Sequence, residues 1–210
     1  MAAKPSGRPH ARTQATPQIA PPPDTELLRR FSSGDPAAFA VLVRRHQSQL
    51  YGYLCRCGVS PSGRDDLFQE IFLRVNQAAA RFDSERPFKP WLFAIAVNCV
   101  RSHFRKARRV DIESRDCELE ADGPTGEQVV AARETARWMN DAIATLPVGQ
   151  RDVLLLVCIE RMSPADVASV LEIPRSTVKT LLRRGRLALA KKLASRNARI
   201  AREHRIVGSL

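Results

Sequence analysis

The sequence contains no apolar run that approaches the ~20 consecutive residues a membrane-spanning helix requires. Basic residues stand near the N-terminus without an apolar stretch behind them, so the pattern of a secretory signal is absent. Alternating apolar and polar residues, internal repeats and a glycine-rich phosphate loop are absent as well. These absences argue against membrane insertion and against β-structure, and we expect an all-α protein of the cytoplasm.

Catalytic and metal-binding patterns are also missing. The cysteines are odd in number and scattered, and the Cys-X-Cys arrangement at 55–57 is not a zinc spacing. This number and spacing favour buried thiols in a reducing compartment over a disulfide or a metal site. The five cysteines are Cys55, Cys57, Cys99, Cys117 and Cys158. No carboxylate pair, metal cluster or nucleophile–base set stands out, so we expect no catalytic residue, no metal and no cofactor.

Positive charge, in contrast, is plentiful. Lys and Arg number 34 against 22 acidic residues in a chain of 210, which gives a net charge of +12. Such a balance favours a polyanionic partner, because the excess positive charge of the protein attracts a negatively charged surface. Nucleic acid is the usual partner of this kind, and an anionic membrane surface is the alternative.

Composition divides the chain into segments. Residues 1–23 hold six prolines and three basic residues but no acid, and we predict a disordered extension because burial cannot offset its ordering entropy. Helical periodicity covers residues 24–109 and returns over 129–199, followed by a basic tail at 200–210. Residues 110–128 are acidic and contain Gly and Pro, which predicts a flexible linker. The predicted fold is all-α, with two small helical domains on a tether.

The segment SPADVASVLEIPRSTVKTLL, residues 163–182, fits a helix-turn-helix. Ser163 can cap the first helix with Pro164 at its first position, and Pro174 can start the second helix. Ala168 is the small residue that two crossing helices require, and apolar residues fill the angle between them: Val167, Leu171, Ile173, Val178 and Leu181. Glu172 occupies the turn position where Gly is common, so it must adopt a left-handed backbone or the turn must differ.

The outer face of the second helix mixes cationic side chains with hydroxyls, the combination that contacts phosphates and base edges in a major groove. From Arg175 to Arg205 there are eleven Lys or Arg residues and one acid. The alternatives are a solvated basic helix and a helix on a membrane surface. The residues that we assign to DNA binding here are Arg175, Ser176, Thr177, Lys179, Thr180, Arg183, Arg184 and Arg186.

The N-terminal half contains a second set of patterned helices. The segment RDDLFQEIFLRV, residues 64–75, places apolar residues at core spacing and a polar, partly acidic ridge on the other side. A polar loop is expected over residues 83–90, followed by an amphipathic helix. The inward residues of that helix are Leu92, Ile95, Ala96, Cys99 and Val100, and its polar side carries Asn98, Arg101, Ser102 and Arg105.

These motifs resemble those of the extracytoplasmic-function (ECF) sigma factors. DLFQEIFLRV, residues 66–75, is similar to region 2 of that family, and WLFAIAVN, residues 91–98, is similar to its promoter-reading helix. Leu146-Pro147, Arg151 and the helix-turn-helix resemble region 4. In this order and spacing the motifs are highly specific, and they cover roughly residues 25–194.

The resemblance implies a subunit that binds core RNA polymerase, directs it to promoters and helps to melt them. The ridge implied to contact core polymerase consists of Asp66, Gln69, Glu70 and Leu73. Region 4 is implied to read the −35 element. The −10 element is assigned to Asp83, Ser84, Lys89, Asn98, Arg101, Ser102 and Arg105, with a plain connector as the alternative for the loop. An anti-sigma factor is a further expected partner. Trp91 is expected to pack rather than to stack on a base.

Other functional classes are compatible with parts of the pattern. A two-module transcriptional regulator that binds DNA without core polymerase is the main alternative, but it leaves the acidic ridge without a role. An enzyme acting on nucleic acid is a third class, and it lacks the catalytic groups described above.

Overall fold

The computed structural model describes residues 21–107 and 127–207, except for the side chains of residues 127–132 and 203–207. Within these ranges the chain forms helices and no strand, which confirms the all-α prediction. Most of the expected linker and most of the expected N-terminal extension lie outside the described residues. The elements are α1 (Asp24–Ser32), α2 (Pro36–Arg56), α3 (Pro61–Ala78), a 3₁₀ turn (Ala79–Arg81), α4 (Phe88–Ala107), α5 (Glu127–Ala144), α6 (Val148–Leu154) with a π-helical end (Leu155–Ile159), α7 (Pro164–Leu171) and α8 (Arg175–Val207).

Three of the helices begin with the same local signal, a capping side chain followed by proline. The side-chain oxygens of Asp35, Ser60 and Ser163 accept backbone N–H bonds from two or three residues later, at 3.0, 3.3 and 3.1 Å. A proline occupies the first helical position after each cap. The caps satisfy N–H groups that have no partner within the helix, and removing one typically costs about 1 kcal/mol.

The first half of the protein, α1 to α4, closes around an apolar core. The residues of α3 that were predicted to face inward are buried, except for Phe68, which is half-buried. Tyr53 of α2 is fully buried, and its ring meets the ring of Phe93 of α4 edge-on at a centroid distance of 5.3 Å. In the second half, α6 and α7 both pack against α8.

Three boundaries differ from the sequence prediction, and the smallest difference is that α5 begins at Glu127, two residues before the expected start at 129. The loop expected over residues 83–90 is shorter, because α4 begins at Phe88 and takes in Pro90. Proline is accommodated there because the N–H groups of a first helical turn have no partner within the helix. Helix α8 continues through the expected tail to Val207, since the sequence holds no Gly or Pro between Gly185 and Gly208.

The described cysteines differ in their states. Cys57 and Cys99 are buried free thiols, and burial raises their pKa values to about 12 and about 11. Cys158 is free and exposed. Cys55 is buried and disulfide-bonded, which corrects the expectation of thiols throughout, because distance along a sequence does not limit which side chains meet in a fold. Cys117 lies outside the described residues.

The two halves are in direct contact. Helix α4 packs against α7, α2 packs against α5, and the buried apolar residues of both halves form one continuous cluster. Gly58, which follows α2 with a φ of 81°, lies so close to α5 that a Cβ there would stand 3.2 Å from the Cβ of Ala144. The sequence did not predict that the two halves pack together.

None of the helices within the described ranges is long and apolar enough to cross a lipid bilayer.

Candidate nucleic-acid interface

The helix-turn-helix is held by two local devices. The Ser163 hydroxyl donates to Oδ2 of Asp166 at 2.7 Å, while the Asp166 backbone N–H donates back to the Ser163 oxygen at 3.1 Å. Glu172 closes α7 with φ 55° and ψ 44°, the left-handed conformation, so the first of the two expected solutions is the one adopted. A side chain in that conformation costs roughly 1–2 kcal/mol, which the packing of α7 against α8 must offset.

The second helix of the helix-turn-helix, α8, is the recognition helix, and its polar side faces solvent. Val178 is buried, and Leu181 and Leu182 are half-buried, so the apolar side of α8 faces α6 and α7. The residues predicted to bind DNA lie exposed, apart from half-buried Thr177: Arg175, Ser176, Lys179, Thr180, Arg183, Arg184 and Arg186. The guanidinium and ammonium groups of this surface can bind phosphates, and the side chains near the N-terminal end of α8 can contact base edges.

The loop before α4 is exposed and rests on an aromatic cluster. Asp83 and Ser84 are exposed, and the Asp83 carboxylate accepts a hydrogen bond from the Glu85 backbone N–H at 3.1 Å. Beneath the loop, the ring of Trp91 lies 4.8 Å from that of Phe82. Trp91 is half-buried and packs against the core, which agrees with the packing role expected for it.

The polar residues predicted on and just before α4 fall into two groups, those exposed to solvent and those paired with the second half of the chain. Asn98 and Arg105 are exposed, and Arg105 donates to the hydroxyl of half-buried Ser102 at 3.4 Å. The other two cations predicted for this surface are paired with acidic residues of the second half. Arg101 donates to Oδ2 of Asp152 from Nε at 3.2 Å and from Nη2 at 3.0 Å.

Lys89 is held in the same way at the other end of the helix. Its ammonium donates to the backbone carbonyl of Glu160 at 2.6 Å and lies 3.4 Å from the Glu160 carboxylate. Gln49 of α2 also donates to that carboxylate. The predicted −10 surface is therefore only partly open in this conformation.

Arg151 and Asp152 form the centre of the contact between the halves. The Arg151 guanidinium donates to the carbonyl oxygen of Cys57 at 3.0 Å and lies 5.5 Å from the ring centre of Phe104. Burial raises the pKa of Asp152, although the charges of Arg151 and Arg101 act in the opposite direction. The role of Asp152 was not predicted from sequence. An Arg-Asp pair directly before an apolar run was the available signal, since charges beside core residues are usually paired.

The acidic ridge of α3 lies on the surface of the first half. Asp66 and Gln69 are exposed, and Leu73 is 57% exposed. Glu70 is half-buried and pairs with Arg74 one turn later. An apolar side chain exposed among polar ones is typical of a protein contact surface.

Among the described residues there is no group of three or more His, Cys, Asp or Glu side chains placed to hold a metal ion.

The comparison with known families matches both halves. Residues 42–110 match sigma-70 region 2, and residues 136–189 match sigma-70 region 4. The RNA polymerase sigma factor NccH of Alcaligenes xylosoxydans xylosoxydans is 34% identical over 83% of this chain and 97% of its own length. The ECF RNA polymerase sigma factor SigW of Bacillus subtilis (strain 168) is 31% identical over 79% of this chain and 94% of its own.

A solved structure has the same architecture. The structure of CnrH in complex with the cytosolic domain of CnrY matches with a TM-score of 0.64 at 28% identity, over 82% of this chain and 97% of that one. A helix-turn-helix attached to a second helical unit defines a DNA-binding transcription protein. The chain belongs to the ECF family of RNA polymerase sigma factors. It directs promoter-specific initiation of transcription by RNA polymerase.

Proposed function

We propose that this sigma factor reads promoters with two surfaces and binds polymerase with a third. Residues 24–109 constitute region 2 and contact the −10 element, and residues 129–199 constitute region 4 and contact the −35 element. Residues 110–128 link the two regions. The exposed recognition helix supports the −35 assignment, because its polar side is accessible to a DNA groove along its first turns.

The −10 assignment is supported by the groups on α4 and on the loop before it. Exposed Asn98 and Arg105 supply an amide and a guanidinium, which are donors for bases and phosphates. Exposed Asp83 and Ser84 supply polar atoms that an unstacked base requires, since extruding a base costs a few kcal/mol that contacts must offset.

The polymerase contact is the part of the proposal that separates a sigma factor from a DNA-binding regulator. The observation that carries it is exposed Leu73 beside Asp66 and Gln69, in a protein with a net charge of +12. Binding DNA alone leaves this acidic ridge without a role. Core polymerase gives it one, as a protein surface of complementary charge.

The test is a charge reversal of the ridge, Asp66→Lys/Glu70→Lys. The variant should fail to co-elute with core polymerase on a size-exclusion column and should yield no run-off transcript, with its helical circular dichroism unchanged. The matched control is Glu134→Lys/Asp141→Lys, which makes the same charge change at exposed positions of α5 and should bind core normally. Normal co-elution and initiation by the Asp66/Glu70 variant would show the ridge assignment to be wrong.

Regulation by an anti-sigma factor is part of this proposal. CnrH, the structural relative, is held in its complex by the cytosolic domain of CnrY. We expect a comparable protein partner here. We also place the protein in the cytoplasm, where promoters are transcribed, and assign it no catalytic residue and no cofactor of its own.

A further inference from the structure

The first helix of the helix-turn-helix lies between two residues with a left-handed backbone. Arg161 stands just before the Ser163 cap of α7 and has a φ of 55°, and Glu172, which closes the helix, has the same φ of 55°. Within the described ranges these are the two residues other than glycine with a positive φ. The left-handed conformation is unfavourable for a residue with a side chain, so each position lowers the stability locally.

The backbone at Arg161 is fixed by the end of the preceding helix. The Met162 N–H donates to the carbonyl oxygen of Leu156 at 3.0 Å, and the Glu160 N–H donates to that of Leu155 at 2.9 Å. These bonds close the π-helical end of α6, and a left-handed residue between them lets the chain turn back over the helix. Glycine is the usual residue at such a position, because it adopts this backbone without the cost that a side chain carries.

No contact within the described part of the protein accounts for an arginine at this position. Arg161 is exposed, and among the described residues no hydrogen bond or ion pair engages its guanidinium. A stabilising contact of the side chain inside the fold is therefore not what offsets the strained backbone. An arginine at a position that favours glycine indicates a function that requires its positive charge.

The turn that contains Arg161 borders the DNA-binding surface. Arg186 of the recognition helix donates to Sγ of Cys158 at 3.4 Å, and Cys158 belongs to the helical end directly before this turn. Arg161 also comes directly before α7, and in a bound helix-turn-helix the first helix crosses the DNA backbone while the second lies in the major groove. The phosphates beside the groove are therefore the negative groups that this turn meets when α8 contacts DNA.

We propose that Arg161 is a further DNA contact, in which its guanidinium binds a backbone phosphate beside the −35 element. Arginine suits this role because its fixed set of donors forms charge-assisted hydrogen bonds to phosphate oxygens. Such a contact holds the helix-turn-helix on the duplex without reading its sequence. The strained backbone is then the cost to stability of placing a cation at this point. The inference rests on the proposed function, which assigns α8 to the −35 element.

One substitution should have opposite effects on stability and on DNA affinity. Arg161→Gly should raise the thermal unfolding midpoint of the full-length protein, measured by circular dichroism, by about 2–4 °C, because glycine relieves the strain. The same variant should bind a fluorescein-labelled DNA duplex of mixed sequence about three- to tenfold more weakly at low salt. A residue with only a structural role would not gain stability and lose affinity together.

Two further variants separate the charge from the strain. Arg161→Gln removes the charge but keeps a side chain on the left-handed backbone, so it should lose affinity as Arg161→Gly does, with an unchanged unfolding midpoint. It should also lower the slope of log affinity against log salt by about one, since one phosphate contact releases about one counterion. Arg161→Lys keeps the charge and should retain most of the wild-type affinity.

The matched control is Arg44→Gln, which removes the same charge at an exposed position of α2. Arg44 belongs to no assigned DNA surface, and the effect of a charge outside the contact is screened by salt. The control should therefore change the affinity by less than about twofold and leave the salt slope unchanged.

Two results would overturn the proposal. Equal losses of affinity for Arg161→Gln and Arg44→Gln would mean that only the net charge matters. Wild-type affinity for Arg161→Gly would mean that Arg161 does not contact DNA, and weaker co-elution of that variant with core polymerase would identify a protein partner instead.

Failure of the proposed function gives a different pattern. Lys179 lies near the start of the recognition helix, and an absence of any effect of Lys179→Ala on promoter binding would count against the −35 assignment itself. A loss of affinity for Lys179→Ala with wild-type affinity for Arg161→Gly would reject the Arg161 contact alone.

Discussion

The backbone carbonyl oxygen of Gln150 lies 3.2 Å from the position that a Cβ on Gly185 would occupy, so α6 and α8 are in direct backbone contact. Gly185 is buried in the middle of a long helix, where glycine costs roughly 1 kcal/mol relative to alanine. The close approach of the two backbones explains why glycine stands at position 185. This contact sets the position of the recognition helix relative to α6.

Filling this contact should destabilise the second half. Gly185→Leu should lower the free energy of unfolding by about 1–3 kcal/mol, because the side chain must push α8 away from the Gln150 carbonyl. Ala190→Leu adds a side chain of similar size at an exposed position of the same helix and should change the free energy of unfolding by less than about 0.5 kcal/mol. Urea unfolding followed by circular dichroism measures both, and equal losses would show that Gly185 has no special contact.

Because Glu172 has a left-handed backbone, replacing it with glycine should change the free energy of unfolding in the opposite direction to the same replacement at Glu134 in a regular helix. Glu172→Gly should raise the free energy of unfolding by up to about 1 kcal/mol, because glycine adopts this backbone without the cost that a side chain carries. Glu134→Gly, in the exposed interior of α5, should lower it by about 1 kcal/mol. Denaturant unfolding of the two variants checks the signs, and a loss at Glu172 would show that its side chain stabilises the turn.

Base reading and phosphate contact should separate along α8. Lys179→Ala should cost roughly 1–3 kcal/mol and relax preference at one position of the −35 element, since it lies near the start of the recognition helix. Lys191→Ala should weaken binding to every promoter alike and lower the salt slope by about one. A panel of single-base promoter variants at several salt concentrations distinguishes them. Uniform loss for both would mean that Lys179 contacts only the backbone.

The attachment of α1 to α2 should weaken in acid. Burial by itself raises the pKa of the Asp24 carboxyl, but hydrogen bonds and charges from His46 and Arg45 outweigh it, and the pKa lies below the ordinary value of 3.8. The folded state therefore takes up this proton at lower pH than the unfolded state does. The stability that Asp24 contributes is complete above about pH 3.8 and is lost as the pH falls through the folded value.

Asp24→Asn removes this titration. The free energy of unfolding should fall less steeply with decreasing pH for the variant than for wild type, and the variant should be the less stable of the two near neutral pH. Urea unfolding at a series of pH values provides the comparison. Parallel curves would mean that the Asp24 carboxylate is not held by His46 and Arg45.

Local signals in the sequence were sufficient for the helices and for the family. The cap and proline at Ser163 and Pro164 act within one turn, and the apolar spacing of α3 and α4 repeats within each helix. The same is true of the exposed residues of the recognition helix. Their side of α8 follows from helical geometry once Val178 is assigned to the core.

The contact between the halves was decided by the tertiary structure. Phe93 and Val97 were not assigned to the inward side of α4 from the sequence, but both are buried, and the ring of Phe93 packs against that of Tyr53 in α2. Arg101 and Asp152 are 51 positions apart, and nothing in either local segment specifies that they meet. Sequence periodicity shows which side of a helix avoids water, but it does not show which partner covers that side, because burial is non-directional and pairing depends on the arrangement of the whole chain.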